Sequence, residues 1–191
     1  TARGVHEVPG VRLGQERVHE EVDAKPRERV LGGAHLTREG RPRGRREERV
    51  LEHDLGLAAE MVAPRLWFHP HTIDGAYTSN DPKCRAYAIQ RSKICLDIAH
   101  ELGTDLIVLW LAREGSYIRE SKNARRALDQ LVTAFDAMLG HNKRIRLAIE
   151  PKPNEPMDHA YIPTIGHALA AAQLTRDPAR VGCLIESAHA I

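Results

Sequence analysis

The first 60 residues contain no Phe, Tyr, Trp or Ile, and every aromatic residue of the chain falls between Trp67 and Tyr161. A segment so poor in large apolar groups cannot offset its ordering entropy by burial. The stretch Arg38–Arg49, REGRPRGRREER, is almost wholly charged, Gly or Pro. Across the first 60 residues the arginines are largely cancelled by Glu7, Glu16, Glu20, Glu21, Glu28, Glu39, Glu47 and Glu48, and the whole chain carries a net charge of only +2. Counterion release needs a net positive face, so a nucleic-acid arm is not expected. Residues 1–56 are read as a poorly ordered Arg/Glu/Gly-rich segment of no recognisable fold.

Other absences are equally informative. The longest apolar run, Leu106–Ala112, is too short to span a bilayer. No charged start followed by an apolar stretch suggests a secretory leader. The 3 cysteines, Cys84, Cys95 and Cys183, have no CxxC spacing and leave one unpaired under any pairing. That disfavours a disulfide scaffold and suits a reducing, cytoplasmic compartment. No Gly-rich phosphate fingerprint follows any apolar run, which weakens a dinucleotide-binding reading.

From residue 57 onward the pattern becomes that of an α/β protein. Met61–His69 is strand-like, although Pro64 interrupts it. Ser79-Asn80-Asp81-Pro82 signals a helix start, Tyr87, Ile94, Ile98 and Leu102 mark a helix face, and Gly103 ends it. Leu106–Leu111 reads as a strand buried on both sides. Ser121 is positioned to cap a second helix, with Ala124, Leu128, Leu131, Phe135 and Met138 inward and Gly140 as its stop. Ile145–Glu150, Pro163–Leu174 and Val181–Glu186 then predict strand, helix and strand. The order βαβαβαβ with short connections implies parallel strands and right-handed crossovers. An open doubly wound sheet and part of a (β/α)8 barrel both satisfy it. With about four βα units, the barrel would be incomplete.

Polar residues fall at the strand ends, where a parallel α/β protein keeps its chemistry. His69 ends the first run, Trp110 lies near the end of the second, Glu150 ends the third and Glu186 the fourth, with His189 three residues on. A carboxylate closing an apolar strand is costly to bury unless a cation or hydrogen bonds satisfy it. Glu150, Glu186 and His189 are a usable partial ligand set for a divalent metal; ion pairs with neighbouring Lys or Arg are the alternative. The segment IEPKPNEP stiffens the loop after the third strand and holds Glu150, Lys152 and Glu155 in fixed relation. A Lys so placed suits polarising a carbonyl oxygen.

IEPKPNEP, followed by Tyr161-Ile162-Pro163-Thr164-Ile165-Gly166-His167-Ala168-Leu169, closely resembles the signature of the xylose isomerases. Leu66-Trp67-Phe68-His69-Pro70 and the loop Asp74-Gly75-Ala76-Tyr77-Thr78-Ser79-Asn80-Asp81 resemble two further motifs of that family. So do Trp110 with Arg113-Glu114-Gly115, and Glu186 with His189. The resemblance covers about residues 61–191.

This resemblance implies a (β/α)8 TIM barrel and a metal-dependent aldose–ketose isomerase of the D-xylose to D-xylulose type. Such enzymes open the sugar ring and shift a hydride between C1 and C2 with two divalent metals, Mg2+, Mn2+ or Co2+. Carried over by position, Glu150 would bind one metal, Glu186 would bridge both and His189 would bind the second. Lys152 would hydrogen-bond the substrate carbonyl oxygen as the catalytic group. Trp67 and Trp110 would wall the substrate from water. A homo-tetramer or homo-dimer is expected for the intact family protein, with neither nucleic acid nor membrane as partner. The family's ring-opening His-Asp pair would fall near Arg27–Val30, where this chain reads RERV. The chain alone is therefore expected to lack turnover. A non-catalytic remnant, or another sugar isomerase or epimerase of the same superfamily, is the alternative.

Overall fold

The computed structural model describes residues 57–154 and 156–189. The reading of residues 1–56, and the placement of Glu155, lie outside them. Three helices, α1 (Pro82–Glu101), α2 (Ala124–His141) and α3 (Ile165–Gln173), alternate with strands β1 (Leu106–Trp110), β3 (Arg146–Glu150) and β5 (Val181–Cys183). Two-residue strands β2 (Gly115–Ser116) and β4 (His159–Ala160) pair with each other in the strand-end loops.

The three longer strands form a parallel sheet in the order β1-β3-β5, and Val62 makes a parallel bridge to Ile107 on the free side of β1. Spatial order therefore follows chain order throughout. That is the arrangement of a (β/α) barrel wall; a doubly wound sheet reverses direction at a switch point. The strands are apolar because the sheet is covered on both sides: Ile107, Leu109, Leu147 and Ile149 are fully buried.

The first expected strand, Met61–His69, is reduced to that single bridge. Val62 donates to Leu106 O at 3.1 Å and accepts from Val108 N at 2.8 Å. Pro64 has no N–H to continue the ladder. His69 begins a 3-10 turn at Pro70–Thr72 instead, its Nδ1 accepting from His71 N at 3.2 Å and its ring stacking on Tyr87 at 4.5 Å.

Asp81 caps α1 as expected, accepting from Lys83 N at 2.8 Å ahead of Pro82, and Gly103 turns the chain out at φ +73°. The helix face differs from the expected one. Of the expected residues Ile98 is buried, together with Ala88, Ser92, Cys95, Leu96 and Ala99, whereas Tyr87, Ile94 and Leu102 are half-buried on its flank.

Asn123, not Ser121, caps α2, its Oδ1 accepting from Arg126 N at 2.9 Å. Ser121 donates to Ile118 O and belongs to the preceding turn, Arg119–Ser121. Gly140 does not stop α2, which runs on to His141. Its end is held by Arg180, which donates to Leu139 O at 3.1 Å, Asn142 O at 3.0 Å and Ile145 O at 3.2 Å. A cation on the last carbonyls also complements the helix dipole. Thr164 caps α3, so that helix starts two residues after Pro163. β5 ends at Cys183, three residues before Glu186, with one further backbone bond from Leu184 N to Ile149 O at 2.9 Å. Among the described residues no helix is long and apolar enough to cross a membrane.

Candidate active site at the strand ends

Parallel pairing puts Trp110 directly opposite Glu150, the last residues of β1 and β3. Apart from Arg146 at the start of β3, both strands are apolar up to that point, so the register lifts an indole and a carboxylate to the same edge of the sheet. Trp67 comes from the segment beyond the Val62 bridge and meets Trp110 with ring centroids 4.8 Å apart and planes tilted by 57°. Lys152 follows Glu150 by two residues and brings its Nζ to 5.4 Å from the Trp110 ring centroid. A cation over an indole face is attracted by the ring quadrupole. The Trp110 Nε1 is buried without a hydrogen-bond partner, an unused donor beside the Lys.

Glu150 is half-buried, and loss of hydration raises its pKa above the ordinary carboxylate value. His189 and Lys152 oppose that rise, while Glu186 adds to it. The His189 Nδ1 stands 3.4 Å from Glu150 Oε1, within ion-pair distance but not aligned as a hydrogen bond. Glu186 turns its carboxylate back on its own loop, accepting from Ala188 N at 3.3 Å, while its carbonyl accepts from His189 N at 2.9 Å.

Carboxylate and imidazole donors suit a divalent metal by chemical type. The geometry supplies a pair, Glu150 with His189, and keeps Glu186 in a separate local hydrogen bond. Among the described residues no group of three or more His, Cys, Asp or Glu is placed to hold a metal ion.

A buried network centred on Glu114 lies in the loop that follows β1. Glu114 is 2% exposed. Its Oε1 accepts from Ala76 N at 3.1 Å and Tyr77 N at 2.8 Å, and its Oε2 from Thr78 N at 2.9 Å and the Thr78 hydroxyl. Lys122, also buried, donates to Asp74 O at 2.6 Å and pairs with Asp74 Oδ1 at 3.2 Å. Gly75, at φ +86°, sits between them; a Cβ there would lie 2.8 Å from Thr78 Oγ1 and 2.9 Å from Lys122 Nζ. The adjacent Gly115 admits the His159 carbonyl, which a Cβ would meet at 2.6 Å, and so allows β2 to pair with β4. The signal for this network was a charged residue between the apolar run of β1 and a glycine, which local pattern alone reads as an exposed turn.

Residues 35–191 match the family model of the xylose isomerase-like TIM barrel. Among solved structures, protein SMc04130 from Sinorhizobium meliloti 1021 is 26% identical with a TM-score of 0.51, over 78% of this chain and 60% of that one. A D-tagatose 3-epimerase-like protein is 14% identical with a TM-score of 0.59, over 80% of this chain and 53% of that one. An IOLI protein with a bound zinc atom is 16% identical with a TM-score of 0.51, over 74% of this chain and 46% of that one. The two more distant likenesses show the fold. The chain spans 60% or less of the length of each of the three structures.

Proposed function

The chain belongs to the xylose isomerase-like TIM barrel family, and from that premise we propose that it serves a sugar isomerase or epimerase. The observation that supports this reading is the juxtaposition of Glu150, Lys152 and Trp110 at the ends of β1 and β3, with Lys152 Nζ 5.4 Å from the indole centroid. Interconverting sugars next to a carbonyl carbon needs three things: a group to handle the proton, a cation for charge developing on oxygen, and an apolar wall against water. Glu150, with its pKa raised by burial, is suited to hold or accept that proton. Lys152 stabilises the developing oxyanion. Trp67 and Trp110 form the wall against which the sugar carbon skeleton lies.

Epimerisation and aldose–ketose isomerisation use these groups alike. The resemblance of IEPKPNEP to the xylose isomerases favours an aldose such as D-xylose, and the D-tagatose 3-epimerase-like neighbour favours a ketose. Dependence on a divalent cation is part of the same proposal, with Glu150 and His189 contributing two donors and the remainder coming from beyond the described residues.

The test is carried out on the natural polypeptide that carries this chain, in 2H2O, with Mn2+, Mg2+ or Zn2+ added and D-xylose or D-tagatose as substrate. Proton NMR is expected to show conversion of at least one sugar. Solvent deuterium in the product identifies proton transfer, and its absence a hydride shift. Neither conversion nor deuterium exchange with any of these sugars and metals would overturn the reading.

A further inference from the structure

We propose that Arg113 and Glu114 are positioning residues that set the Trp67–Trp110 pair, Arg113 by holding the main chain of Trp67 and Glu114 by fixing the loop that follows it. The need for them arises from Pro64. Beyond the Val62 bridge, among the described residues, no backbone hydrogen bond ties residues 63–68 to β1. Two arginine side chains hold that segment instead. Arg91 Nε, from α1, donates to Arg65 O at 2.9 Å, and Arg113 Nε donates to Trp67 O at 3.1 Å.

Of the two, Arg113 acts on the indole pair directly. It lies three residues after Trp110, so its hydrogen bond joins the chain just beyond one indole to the carbonyl of the other. The adjacent Glu114 then gathers the N–H groups of Ala76, Tyr77 and Thr78 on one carboxylate. The chain leaving Trp67 is thereby fixed to the chain leaving Trp110 at two points. Arg113 also donates from Nη1 to the Tyr117 hydroxyl at 3.3 Å, which orients the guanidinium. A planar guanidinium can serve Trp67 O and the Tyr117 hydroxyl at once; a lysine ammonium lacks that fork. In terms of the sugar reading, and resting on it, this pair sets the spacing of the apolar wall.

The experiment needs no substrate. Trp67 and Trp110 are the 2 tryptophans of the chain, and indoles 4.8 Å apart at a tilt of 57° couple their transitions into an exciton couplet in the far-ultraviolet circular dichroism. In the full chain, Trp67→Phe should abolish the couplet, which assigns it. Arg113→Met and Arg113→Lys should each lose it while thermal unfolding stays cooperative, and Glu114→Gln should shrink it. If Arg113→Met fails to fold, Arg113→Lys decides. Leu131→Ala, on the buried face of α2, should lower the melting temperature and leave the couplet in place. A couplet unchanged in Arg113→Lys would overturn the proposal. So would its equal loss in Leu131→Ala, because that would mark general loosening. The sugar assay can fail while the couplet behaves as expected, and the two ideas are thereby separated.

Discussion

The His189 Nδ1 lies 3.4 Å from the Glu150 Oε1, joining the loop after β5 to the end of β3. Burial raises the Glu150 pKa, and the neighbouring imidazole only partly offsets the rise. A carboxyl whose folded-state pKa is raised contributes fully to stability below its unfolded value, and that contribution is lost as pH climbs through the folded value. Glu150→Gln stays neutral throughout. Its melting temperature should therefore gain on wild type as pH rises from about 4 to 7. Calorimetric scans across that range check this. A steady loss in the variant would mean that attraction to His189 outweighs desolvation.

Lys152→Met should leave the fold in place and lower turnover of the natural polypeptide sharply. Removing one donor to a developing oxyanion costs on the order of 3–4 kcal/mol, or about 100- to 1000-fold in rate. Steady-state kinetics with the sugar that NMR identifies would measure it. A change confined to KM would assign Lys152 to ground-state binding.

Metal affinity should be weak in this chain. Hard divalent cations take about six donors, and Glu150 with His189 supplies two. Calorimetric titration with Mn2+ or Mg2+ is expected to give shallow, unsaturated binding that Glu150→Gln weakens further. Tight stoichiometric binding that survives that change would place the metal elsewhere.

Glu114→Ala should be among the most damaging single changes. It leaves three backbone N–H groups and the Thr78 hydroxyl without their acceptor in a buried place. At about 1–3 kcal/mol for each group left unsatisfied, less what water recovers, a loss of about 3 kcal/mol or more is expected. Urea unfolding monitored by fluorescence would report it.

Two glycines should respond to alanine with opposite signs. Gly75 lies at φ +86° with Thr78 and Lys122 in the path of a Cβ, and Gly75→Ala should cost about 1–3 kcal/mol. Gly140 lies within α2 with nothing within 4 Å of its Cβ position, and Gly140→Ala should gain about 0.5–1 kcal/mol. Denaturant midpoints for the two variants check both.

Local chemistry made much of this protein legible from its sequence. Leu106–Trp110 and the Leu147–Ile149 centre of β3 announce themselves because the part of a strand covered on both faces must be apolar. Asp81 before Pro82, and Gly103 after the last turn of α1, carry their meaning in their own backbone preferences. Glu150, Lys152 and Trp110 could be picked out as strand-end residues for the same reason. Tertiary structure decided what depends on partners distant in sequence. Barrel wall and doubly wound sheet share one βαβ pattern, and only the order Val62, β1, β3, β5 separates them. Ser121 and Asn123 are both competent caps, and the turn Arg119–Ser121 consumes the first. Glu114 shows most clearly why: a carboxylate after a strand reads as solvated until the loop carrying Ala76, Tyr77 and Thr78 folds over it and supplies the donors that allow its burial.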